Sequence, residues 1–273
     1  MKITMLSLAS RVACLLALSF GVGAEAEVIF KAGGELSNGV RTMPMVTISR
    51  EITPADPVLL SKTIQTLRQD VMRIGGMLIR NGVDFLPLNV VLNSMGGDVE
   101  AALAMGQILR DHEATVIIQP NGQCVSACVF LLAGGTSRHV LGRVGIHRPY
   151  LPNDKETTAL GQRERYQRLG KVINTYLEAM NVPTELYERM VRIAPEKVHW
   201  LTKAELQAYG LSADDPYAEE ARTTREAAMF GLNKREFLQA RQQAERVCAM
   251  ADTHGYAECF SRVVRQARDL SNK

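Results

Sequence analysis

Twice between Leu86 and Gly135 the chain runs from a branched, apolar strand pattern through glycine into a helix, and few folds accommodate that order. The first unit is Leu86 to Leu92, apolar apart from Asn89, as a strand buried on both faces should be. It ends in Asn93-Ser94-Met95-Gly96-Gly97-Asp98, and Asp98 opens a helix with Ala101, Ala102, Met105, Ile108 and Leu109 on one side. The second is a strand from Ala114 to Gln119, a turn at Gly122, and Gln123-Cys124-Val125-Ser126-Ala127-Cys128 followed by an apolar run to Gly135. Ser126 is expected in the first turn of that buried helix, beside backbone N–H groups that a helix leaves unpaired. Successive βα units with crossover helices predict an α/β fold with a largely parallel sheet.

Around these units the pattern predicts further elements. Met45 to Ser49 reads as a strand, Val58 to about Ile79 as an amphipathic helix, and His139 to Leu141 and Val144 to His147 as short strands. A long charged helix follows from Glu156 to Met180, and another reaches from Val182-Pro183-Thr184 to about Ile193. Thr202-Lys203-Ala204-Glu205 is a capping box whose helix closes at Gly210. Beyond Asp214-Asp215-Pro216 the chain is charged, alanine-rich and free of strand patterns, which predicts an α-helical appendage.

The N-terminus has Lys2 and Arg11, an apolar stretch from Val12 to Val22, and Ala24-Glu25-Ala26, the layout of a secretory signal peptide. The apolar run is far shorter than the about 20 residues that span a bilayer. Cys14 would suggest a lipid, but Arg11 stands where a lipoprotein signal needs an aliphatic residue. We expect a signal peptide over 1–26 with cleavage after Ala26, no membrane anchor thereafter, a main domain over 27–211, a helical extension over 212–273, and a periplasmic or secreted product. The net charge of +3 is modest and its basic residues are dispersed among acidic ones, which argues against nucleic acid.

An exported chain folds under oxidising conditions, so its remaining cysteines must be accounted for. Cys248 and Cys259 flank a break at His254-Gly255 between two helical patterns and are candidates to staple a helical hairpin. Cys124 and Cys128 are expected as small buried residues of one helix, since a regular helical turn does not favour disulfide geometry. Four cysteines allow three pairings, and sequence does not choose among them. His112, His139, His147, His199 and His254 form no ligand spacing, so no metal and no cofactor are expected.

Gly96-Gly97, Ser126 and His147 each end a strand pattern, and in a parallel sheet such ends share one edge. A hydroxyl, an imidazole and preorganised N–H donors are the parts of acyl transfer. The chain resembles the ClpP/crotonase superfamily, with its repeated β-β-α units, and within it the Clp-protease-like serine peptidases. The resemblance is carried by Asn93-Ser94-Met95-Gly96-Gly97 where that family has Asn-Ser-Pro-Gly-Gly, by Gly122-Gln123-x-x-Ser126 with Phe130-Leu131-Leu132-Ala133, by Ile146-His147-Arg148-Pro149, and by Tyr209-Gly210-Leu211.

The resemblance implies Ser126 as nucleophile, His147 as general base, and the N–H groups of Gly97 and Ala127 as oxyanion hole. It also implies a homo-oligomer acting on peptides or unfolded protein; an ATP-driven feeder, usual in that family, does not suit a compartment without ATP. The family's third member, an Asp, falls by ungapped count at Val198, and no Asp occurs between Asp154 and Asp214. Glu196 is the nearest carboxylate and the candidate third member; its other reading is a surface glutamate after Pro195. The alternative function is a catalytically weak or inactive scaffold of the same fold.

Overall fold

The computed structural model describes residues 27–31, 45–73, 78–80, 83–85, 88–150, 158–249 and 253–271. The expected signal peptide lies outside them. An edge strand β1 (Glu27–Lys31) pairs antiparallel with β2 (Met45–Ile52). Helix α1 (Asp56–Arg73) and a small hairpin of β3 (Leu78–Arg80) and β4 (Val83–Phe85) follow. Then come β5 (Asn89–Gly97), α2 (Val99–Asp111), β6 (Thr115–Ile118), β7 (Gln123–Val125) and α3 (Cys128–Gly134). The remaining elements are β8 (Ser137–Val140), β9 (Arg143–Ile146), α4 (Ala159–Ala179), α5 (Glu185–Val191), β10 (His199–Trp200), α6 (Lys203–Ala208), α7 (Pro216–Met229), α8 (Lys234–Val247) and α9 (Thr253–Ser271).

The sheet forks at β5. Its first residues, Asn89 to Val91, pair parallel with β6, which pairs parallel with β8. Farther along, Ser94 pairs with Cys124 of β7, which runs parallel to β9, and β10 closes that branch antiparallel. Strand β2 follows β5 along most of its length, with a bulge between Ser49 and Glu51 where Arg50 adopts φ 66°. Ser94 anchors the bulge: its hydroxyl donates to the Arg50 carbonyl and accepts from the Gly96 amide at 3.1 Å. This is a mixed α/β fold with a largely parallel, curled sheet and C-terminal helices, as expected for the ClpP/crotonase architecture.

The main core joins β2, β5, β6 and β7 to one face each of α1 and α2 and to the whole of α3, every residue of which is buried. A second cluster, centred on Phe237, Ala244, Cys248 and Val264, is built by α7, α8, α9 and the α7–α8 turn. Between the two clusters sits a buried polar junction. Asp215 caps α7, accepting from Tyr217 N at 3.0 Å, and also takes the Arg110 guanidinium at 2.8 Å and Asn181 Nδ2 at 3.0 Å. Arg138, 2 % exposed, lies beside it and donates to the carbonyls of Gly135, Ala133, Met180 and Gly210.

Several boundaries differ from those the sequence predicts. The helix expected to reach Ile79 is described only to Arg73, and Ile79 belongs to β3. Strand β5 does not stop at Leu92 but continues through Gly96 and Gly97, because the Ser94 hydroxyl and the bulge let the ladder resume beyond it. The segment from Gln123 to Val125, expected within a helix, is a strand. Local apolarity could not distinguish the two, and the adjoining β5 and β9 edges decide it. Strand β1 and the β3–β4 hairpin carry no sequence signal that we recognised.

Candidate active site

Because β7 ends at Val125 and α3 begins at Cys128, Ser126 stands in the turn between them rather than in the helix. Its backbone is left-handed, φ 56°, a region costly to a residue with a Cβ. Three contacts hold it there. The Ser126 amide donates to the Gly145 carbonyl of β9 at 2.9 Å, and the Ser126 carbonyl accepts from Val129 N at 3.1 Å. The third is steric: a Cβ on Gly96, φ 99°, would fall 2.7 Å from the Val125 oxygen, 2.8 Å from Ser126 Cβ and 2.9 Å from Ala127 N. Only glycine lets the end of β5 lie against this turn. The side chain of Ser126 is half-buried, and Ala127 is 1 % exposed.

The structure thus brings Gly96, Ser126 and Ala127 into contact. Gly97, the residue expected to contribute the N–H, is next along β5, φ 142°, paired with Ile52. His147 follows the last residue of β9, the strand alongside β7, so register puts it at the same carboxyl edge as Ser126. The imidazole is half-buried, and its Nδ1 is 2.9 Å from the Arg148 carbonyl oxygen. A carbonyl only accepts, so in the neutral ring Nδ1 holds the proton and Nε2 keeps its lone pair. The Arg148 amide is fixed in turn by the Ile193 carbonyl at 3.0 Å.

The position facing His147 can be read from the β9–β10 ladder. His199 pairs with Ile146 and Trp200 with Gly145, so one step outward Val198 lies opposite His147. Its side chain turns onto that face, for a Cβ on Gly145 would meet Val198 Cγ1 at 2.6 Å. Glu196 is two residues farther out, exposed, in the turn closed by Lys197 N and the Ala194 carbonyl at 2.9 Å. Trp200 on the same strand is covered by the Arg143 guanidinium, 4.1 Å from the ring centroid.

Beyond β10, His199 Nε2 meets Glu205 Oε1 at 2.9 Å. The Thr202 N–H of the capping box, and then His199, hold the Glu205 carboxyl down at about 2. A cavity of about 190 Å³ lies elsewhere, at the amino ends of β6 and β8, between Thr115, Ser137, Asp214 and Arg222. No group of three potential metal ligands occurs among the described residues.

The cysteines correct one expectation. Cys124 and Cys128 are not two small residues on one helix; they form a disulfide, Cα atoms 5.2 Å apart, with Ser126 midway between them. The strand-to-helix turn makes this possible, because it swings the two Cβ positions towards each other as no regular helical turn would. The symmetric spacing Cys-x-Ser-x-Cys was the available signal, legible only once Gln123–Val125 is taken as a strand. A second disulfide joins Cys248 to Cys259, linking the end of α8 to α9.

Comparison with known proteins points to one family. The model of the Clp protease family matches residues 62–214, which include Gly96, Gly97, Ser126, His147 and Val198. The proteolytic subunit 1 of the ATP-dependent Clp protease from Chlamydia pneumoniae is 27% identical over 133 residues, covering 46% of this chain and 68% of that protein.

Proposed function

The chain belongs to the Clp protease family, and from that premise we propose that it is an exported serine peptidase, with Ser126 as nucleophile and His147 as base. The observation that carries this reading is Ser126 itself: a non-glycine residue held at φ 56° in a strand-to-helix turn, wedged by Gly96 at the edge where β9 leads into His147. Strained backbone at a polar, half-buried side chain is a feature of functional turns.

In this reading the Ser126 hydroxyl attacks the scissile carbonyl as His147 Nε2 takes its proton. The oxyanion is received by the backbone N–H groups of Gly97 and Ala127. His147 then passes the proton to the departing amine, and water releases the acyl group by the reverse sequence of transfers. The Arg148 carbonyl holds the ring in the productive tautomer. Being uncharged, it stabilises the imidazolium less than a carboxylate does, so turnover is slow for a serine peptidase.

Treatment of the folded protein with a fluorophosphonate tests the assignment. Ser126 is the expected adduct, absent in Ser126→Ala and slowed about 10³-fold or more in His147→Ala. Equal labelling of Ser126→Ala sinks the reading. Export is supported by the N-terminal pattern together with two disulfides. Its test is the first residue of the protein recovered from the producing cell, expected to be Glu27. Substrates are peptides or unfolded chains, and exposed Leu160 and Val172 on α4 favour self-association through that helix.

A second reading, a scaffold with little activity, is supported by Val198, an apolar residue one step beyond the β9–β10 pairing on the side of His147, where the family resemblance implies a carboxylate. Peptide cleavage that is lost in His147→Ala excludes it.

A further inference from the structure

We propose that the Cys124–Cys128 disulfide is a positioning device for the nucleophile, so that Ser126 becomes reactive only in chains that fold under oxidising conditions. The inference rests on the peptidase reading and adds a requirement to it.

The bridge spans Cys124-Val125-Ser126-Ala127-Cys128, with the serine at its centre, and ties the middle of β7 to the first residue of α3. A folding staple would be poorly placed here. The entropy that a crosslink removes from the unfolded chain grows with loop length, and this loop is near the shortest possible. Nor does α3 need it for anchorage, since the whole helix is already buried in the main core. What the surroundings do need to hold is the left-handed backbone of Ser126, φ 56°. Without the bridge, Ser126 keeps its hydrogen bonds to Gly145 and Val129, but the ends of the turn can part, and the hydroxyl drifts with them.

Both cysteines are 0 % exposed. A thiol reagent therefore cannot readily reach the bridge in the folded protein, and its redox state is set as the chain folds. Formation is thiol–disulfide exchange: the two thiols give up two protons and two electrons to an external disulfide, which leaves as two thiols. A chain that folds among reduced thiols keeps Cys124 and Cys128 as a dithiol and its turn unlocked. The second bridge, Cys248–Cys259, belongs to the α8–α9 hairpin and serves as the internal control.

The test refolds the full chain either in a glutathione redox buffer or in excess dithiothreitol, with peptide mapping of the bridges. Labelling of Ser126 by a fluorophosphonate is then resolved into its saturating rate and its half-saturating concentration. The oxidised chain labels. In the reduced chain and in C124A/C128A the saturating rate falls on the order of 10²-fold, the loss expected of a nucleophile displaced by about an ångström. The half-saturating concentration and the far-ultraviolet circular dichroism stay as they were. C248A/C259A labels at the full rate when oxidised and loses it when reduced. Equal saturating rates with and without the 124–128 bridge overturn the proposal and leave the peptidase reading standing. A C124A/C128A chain, its Cys248–Cys259 bridge intact, that loses its fold in step with its labelling also overturns it, since the 124–128 bridge is then a folding staple. Absence of any Ser126 adduct in the oxidised chain removes both.

Discussion

Ser126 occupies a conformation that costs of order 1–3 kcal/mol for a residue with a Cβ, and its neighbours are chosen to impose it. Gly96 is the sharpest case, since any side chain there meets the Val125 oxygen at 2.7 Å and Ser126 Cβ at 2.8 Å while also bearing φ 99°. Gly96→Ala should therefore destabilise the protein by about 2 kcal/mol or more in urea unfolding, and abolish fluorophosphonate labelling even at temperatures where the variant stays folded. Val198 invites the opposite experiment. It lies one step beyond the β9–β10 ladder, opposite His147 by register, and is 37 % exposed, so a carboxylate placed there keeps contact with water. Val198→Asp should raise the labelling rate by about tenfold or more, because an ionised partner stabilises the imidazolium as a neutral carbonyl cannot. A rate unchanged or lower in Val198→Asp counts against the Arg148 carbonyl as a weaker substitute for the carboxylate.

Among the elements, the junction that ends the main domain depends on one carboxylate. Asp215 caps α7 and lies between Arg110, at 2.8 Å, and Arg138, at 3.7 Å. Burial pushes the Arg138 guanidinium down to about 10, and Arg110 adds to that, while Asp215 opposes it. Asp215→Asn preserves an acceptor for the helix end but leaves two guanidinium groups without their counter-charge. It should cost about 3 kcal/mol in equilibrium unfolding. The capping box of α6 makes a prediction in pH. Glu205 is held at about 2 against an ordinary 4.5, so its charged form stabilises the fold above about pH 4.5, and that contribution is lost as pH falls towards 2. With the side chain 28 % exposed, solvent screening reduces the contribution to about 1 kcal/mol. Glu205→Gln should lose that amount at neutral pH and show a correspondingly flatter decline in stability over the acid range.

At the scale of the whole molecule, the described residues form two apolar clusters, and the second depends on its crosslink more than the first. Helices α8 and α9 bury Phe237, Ala244 and Val264 between them, a small core for elements of this length. The Cys248–Cys259 bridge closes an eleven-residue separation there. C248A/C259A should lower the stability of α7–α9 by about 2–4 kcal/mol, seen as faster amide exchange in those helices, with protection of β5 and α3 unchanged.

Sequence by itself determined what depends on neighbours along the chain. It gave the order of strand, glycine turn and helix, the capping box at Thr202, the helical character beyond Asp215, and the three strand ends that carry Gly96-Gly97, Ser126 and His147. Periodicity and cap chemistry act over a few residues, so these are legible without a fold. The tertiary structure decided what depends on register between distant segments. Gln123–Val125 is too short to carry a period that tells strand from helix, and only the edges of β5 and β9 make it a strand. That choice moves Ser126 out of the helix and brings Cys124 to Cys128. Likewise the family resemblance only marks Val198, by count, as the third member's place; that it lies one step beyond the β9–β10 pairing, opposite His147, needs that two-residue antiparallel contact. The meeting of Arg110, Arg138 and Asp215 was illegible for the same reason, since it requires three elements to converge before any of the three charges has a partner.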